Sequence, residues 1–173
     1  MNITFTHDDA WRLVHDRHSP QRVHLSDGRG LQGVEELMAS LADFDFALAR
    51  IDASAGLIGW AALIIVQDGE EISCPHLDAL GRGRWIDRPD HDHPSTTMGP
   101  ACRTEDVRIL GPGLHPTSCA AVTRVTWSWV VPGADGARQV VLLVTECPHP
   151  QPADLVVPEV DDIARLLQIS RSA

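Results

Sequence analysis

Apolar positions fall at helical spacing near both ends of the chain and at alternating spacing between them. This change of period divides the sequence into its elements. Thr6 to Asp16 predicts a first helix: Thr6 caps it, Asp8 and Asp9 suit the positive end of the helix dipole, and Trp11 with Val14 forms an apolar stripe. Ser19-Pro20 ends it. Val34, Leu37, Met38 and Leu41 lie at i, i+3, i+4 and i+7 and predict a second helix over Val34 to Ala42.

From Phe44 the period shortens. Phe44, Phe46 and Leu48 alternate with Asp45, Ala47 and Ala49, the pattern of a half-buried strand. Leu57 to Val66 is apolar on both sides, which fits a central strand covered on both faces. Asp68-Gly69 signals a hairpin with a short returning strand over Ile72 to Leu77. Asp78 to Pro100 lacks periodicity and reads as a long flexible loop. Ala101 to Ile109 predicts another strand, closed by Gly111-Pro112-Gly113. Val122 to Val131 places Val125, Trp127, Trp129 and Val131 on one face and Arg124, Thr126 and Ser128 on the other. Pro132 to Gly136 turns the chain, and Arg138 to Cys147 returns as its partner. A last helix is expected from about Pro158, with Val160, Ile163, Ala164 and Leu167 on its apolar face.

Short hairpin links between the strands predict an α+β fold: one antiparallel sheet of about five or six strands, covered by N- and C-terminal helices. At 173 residues the chain reads as a single globular domain with no internal boundary.

Composition narrows the chemistry. The chain has 14 basic residues, all of them arginine, together with no tyrosine and a single asparagine, Asn2. Lysine, asparagine and tyrosine have AT-rich codons, so the skew points to a GC-rich bacterial genome. Without lysine, Schiff-base catalysis and a phosphate-loop lysine are excluded, and without tyrosine so is a phenolic acid or base. A formal net charge of −10 opposes binding to nucleic acid or to an anionic membrane surface. The polar, acidic start of the chain carries no secretory pattern, and the longest apolar run is half the length of a spanning helix. These features predict a cytoplasmic protein whose four cysteines are reduced thiols.

Two Cys-Pro-His triplets, Cys74-Pro75-His76 and Cys147-Pro148-His149, each follow a strand region. Cys74, His76, Cys147 and His149 together would give the Cys₂His₂ donor set that zinc prefers, although their spacing matches no standard finger. The alternative is that Cys74 and Cys147 are small buried hydrophobes at strand ends. Asp90-His91-Asp92-His93 alternates carboxylate and imidazole, but neighbouring residues of an extended segment point to opposite sides, which favours a solvated acidic loop over a chelate. His15 and His18 read as surface residues at a helix end, and neither Cys102 nor Cys119 sits in a recognisable nucleophile motif. Arg82, Arg84 and Arg88 around Trp85 form a basic patch in an acidic protein, suited to a carboxylate or phosphate, to an acidic partner surface, or to neutralising nearby acids. Trp127 and Trp129 read as core, with an aromatic ligand wall as the alternative if the covering helix sits off the sheet.

The layout Gly99-Pro100-Ala101-Cys102-Arg103, then Val125 to Pro132, Val140 to Pro148 and Asp161-Asp162-Ile163-Ala164 resembles a group of small actinobacterial proteins. The resemblance covers about half of the chain and implies a PsbP-like α/β/α sandwich, with no catalytic residues to carry over. With no coherent catalytic constellation and no cofactor motif beyond the zinc candidate, the sequence reads as a non-enzymatic cytoplasmic interaction or accessory module. Its partner would be another protein or a second copy of itself. A zinc-binding protein and a small-molecule-binding domain are the alternatives.

Overall fold

A computed structural model describes residues 2–4, 10–17, 39, 41–52, 56–67, 84–85, 90–110, 120–133, 136–148 and 150–170. The three longest strands, β4 (Gly56–Gln67), β10 (Ala120–Pro132) and β11 (Arg138–Pro148), are rich in β-branched and aromatic residues. They form the middle of an eight-stranded antiparallel sheet. To one side of β4 lie β3 (Phe46–Asp52) and then β2 (Trp11–Asp16). To the other, β11 and β10 lead to β9 (Cys102–Leu110), whose outer edge pairs with two short strands, β5 (Arg84–Trp85) and β6 (Asp90–Asp92). A small hairpin, β7 (Ser95–Thr96) and β8 (Gly99–Pro100), stands apart, as does the pair of β1 (Asn2–Thr4) with β12 (Gln168–Ser170).

The sheet separates two apolar clusters. On one face, Trp11, Phe46, Leu48, Leu63, Val125, Trp127, Trp129 and Leu143 pack beneath a single helix, α1 (Gln151–Leu166). On the other, Val14, Leu41, Phe44, Ala47, Ala49, Trp60, Ala62, Ile64 and Val144 form a second cluster. Each fully buried large side chain contributes roughly 1.5–3 kcal/mol. Strand β3 is therefore buried on both faces (Phe46 to Ala49), not half-buried as its alternation with alanine predicts.

The expected fold class needs correcting: the described residues are mostly strand with one helix, not a sheet covered by helices from both ends. The predicted first helix is overturned by β2, which pairs antiparallel with β3. Trp11 and Val14 explain the error. An i, i+3 spacing lies on one face of a helix but on opposite faces of a strand, and both faces of this sheet are covered. Trp11 enters the helix-side cluster and Val14 the other, next to a bulge between Leu13 and His15. Most of the second expected helix, Val34 to Ala42, lies outside the described residues; Ala39 is helical and Leu41 to Asp43 form a turn. The segments over 68–83 and 86–89 also lie outside them, while β5 to β8 occupy the rest of the range read as a loop.

Helix α1 starts seven residues before Pro158, at Gln151, with Pro152 in its first turn and Asp154 near its positive end. Pro158 lies inside the helix on its exposed side, where water can serve the carbonyl that loses its N–H partner. Ala153, Val156, Val160, Ile163 and Ala164 make the buried stripe. Gly59 of β4 lets this stripe approach: a Cβ there would sit 3.0 Å from both γ-carbons of Val156 and 3.3 Å from Cys147 Cβ.

Two helix carboxylates pin α1 to the sheet. Glu159 accepts the indole N–H of Trp11 at 2.8 Å and two bonds from Arg50 at 2.8 and 3.1 Å. Asp161 accepts from Trp127 Nε1 at 2.9 Å and Arg103 Nε at 2.8 Å. The backbone N–H and hydroxyl of Thr97 both donate to the Arg165 carbonyl, which ties the β7–β8 hairpin to the helix end.

Candidate functional site

Four ionisable side chains lie within the sheet on the face opposite α1. The register of β9, β10 and β11 sets them side by side: Arg124 is the cross-strand partner of Asp106 on one side and of Glu146 on the other. Glu146 in turn pairs with Trp60 of β4, and Arg108 stands two positions beyond Asp106 on the same strand face. Asp106, Arg108, Arg124 and Glu146 are only 5, 7, 5 and 8% exposed. Arg124 donates to Glu146 Oε1 from Nε at 2.9 Å and from Nη2 at 2.6 Å. Arg108 forks onto Asp106, with Nε on one oxygen and Nη2 on the other at 3.0 Å.

Burial dominates the electrostatics of the Arg124–Glu146 pair. It pushes the Glu146 carboxyl above its ordinary value against the pull of Arg124, and it lowers Arg124 against the pull of Glu146. Both shifts say that the loss of water outweighs the mutual attraction. With two positive and two negative groups the cluster is balanced, and it binds strands together instead of presenting net charge.

The cluster reaches the edge of the sheet. Strand β5 pairs with β9 so that Trp85 is the partner of Arg108 and Arg84 the partner of Ile109. Two of the four residues expected to contact a partner, Arg84 and Trp85, therefore continue the sheet next to Arg108. Arg82 and Arg88 lie outside the described residues.

Of the four expected zinc ligands only Cys147 falls within the described residues; Cys74, His76 and His149 do not. Cys147 is 2% exposed beneath α1, and its thiol faces the Thr123 carbonyl oxygen at 3.9 Å. Burial, together with Glu146 and Glu105, pushes that thiol up to about 12, so it stays protonated at neutral pH. Among the described residues no group of three or more His, Cys, Asp and Glu side chains is arranged to hold a metal ion.

Asp90 to Asp92 form β6, partnered by Glu105, Thr104 and Arg103 of β9. His15 does not lie at a helix end: it belongs to β2, and its Nε2 donates to the Phe44 carbonyl at 3.0 Å. Trp127 and Trp129 stack with centroids 5.9 Å apart and are buried under α1, so this face is core and not an open aromatic wall. Their indole N–H groups reach Asp161 and Thr96, both at 2.9 Å.

Alternation along β10 places Arg124 on a polar strand face and does not reveal the buried cluster. Equal steps out from the turn at Pro132 to Gly136 set Arg124 opposite Val144; the register instead pairs Pro132 with Arg138, and that two-residue shift brings Glu146 across from Arg124.

No known family profile matches the chain, and no curated protein sequence matches it. Among the described residues no helix is long and apolar enough to cross a membrane. Among solved structures the fold is similar to that of LpqN, a protein involved in cell envelope biogenesis of Mycobacterium tuberculosis. The likeness has a TM-score of 0.57 and 12% identity, over 98% of this chain and 83% of the other. What the two share is a fold.

Proposed function

We propose that this chain is a non-enzymatic interaction or accessory module whose partner meets it at the β9 edge of the sheet. The observation that carries this reading is the position of Arg84 and Trp85 as a two-residue edge strand in register with Arg108. A two-residue edge strand offers little backbone for pairing with another chain, so the contact is expected to be made by side chains. Here the edge comes with a run, Arg82 to Arg88, of three arginines and one aspartate in a chain of net charge −10. Arginine is suited to forked contacts with carboxylates, so the partner surface is expected to be acidic. The fold likeness to LpqN supports seeking that partner among proteins that build the cell envelope.

Site-specific photo-crosslinking tests this. A photoreactive residue at position 85 of the full chain, irradiated in cells, should give a discrete adduct. The Arg82→Glu, Arg84→Glu, Arg88→Glu variant should lose it while keeping the parent's circular dichroism. An adduct unchanged by the triple substitution would move the contact elsewhere. Absence of any adduct, together with turnover of a small molecule by the purified protein, would overturn the reading.

A further inference from the structure

We draw no further inference here: the strongest candidate, the cross-strand row of Val66, Val140 and the exposed Val130 at the turn end of the sheet face opposite α1, is an apolar face for which nothing in the structure shows what covers it.

Discussion

Arg124 and Glu146 hold each other in a place where neither charge is well solvated. Removing one partner strands the other, a loss of about 3–5 kcal/mol for buried pairs, whereas replacing both with apolar residues of similar volume is often neutral or stabilising by about 1–4 kcal/mol. Glu146→Gln is therefore expected to lower the urea midpoint sharply, and Arg124→Met with Glu146→Leu to restore or exceed it. The pH dependence has a definite sign. Because the folded Glu146 titrates above its ordinary 4.5, its contribution to stability is complete below that value and is lost as pH rises through the folded pKa. The double variant should thus gain on the parent as pH increases from 4.5 toward neutrality, measured by chemical denaturation at each pH. A gap that closes over that interval would show that pairing, not burial, dominates. Cys147 gives a second check at this scale. Its protonated, covered thiol should resist iodoacetamide at pH 8 in the native protein and react on unfolding, with peptide mass spectrometry locating the label.

At the scale of elements, the helix–sheet contact depends on Gly59 and on the two helix carboxylates. Gly59→Ala would press a methyl group into Val156, at an expected cost of about 1–3 kcal/mol. Adding Val156→Ala should recover part of it, because the two positions touch and their effects are not additive. Asp161→Ala would leave the Trp127 indole and Arg103 without a shared acceptor, a loss of about 1.5–3 kcal/mol with altered tryptophan emission. Asp161→Asn should cost less, since an amide oxygen still accepts. Element by element, legibility followed how local each signal was. The β10–β11 hairpin and the apolar run that became β4 were readable because alternation and turn residues lie within the segments themselves. Strand β2 was not, since burial on both faces of a strand mimics a helical stripe in Trp11 and Val14. The start of α1 was missed because Pro158 is a good first-turn residue and is equally tolerated on the exposed side of a helix. Arg84 and Trp85 could be singled out by composition, but their place beside Arg108 depends on pairing with a strand some twenty residues away, which no local pattern encodes.

At the scale of the whole molecule, the described residues build one large sheet with an apolar cluster on each side, and its outer strands are poor templates for further pairing. Strand β2 carries a bulge, and the β9 edge is occupied by β5 and β6, two short pieces with Pro89 between them. Bulges, prolines and short edge strands are devices that blunt strand edges. The pairing of β1 with β12 has a different consequence. Asn2 lies across from Ser170, Ile3 from Ile169 and Thr4 from Gln168, so this ladder closes the backbone between them into a ring. Such a ring can be cut elsewhere. A circular permutant, its old ends joined by a short linker and new ends opened in the turn after Pro132, should fold to the same sheet, with amide exchange at Ile3 and Ile169 slowed relative to the parent.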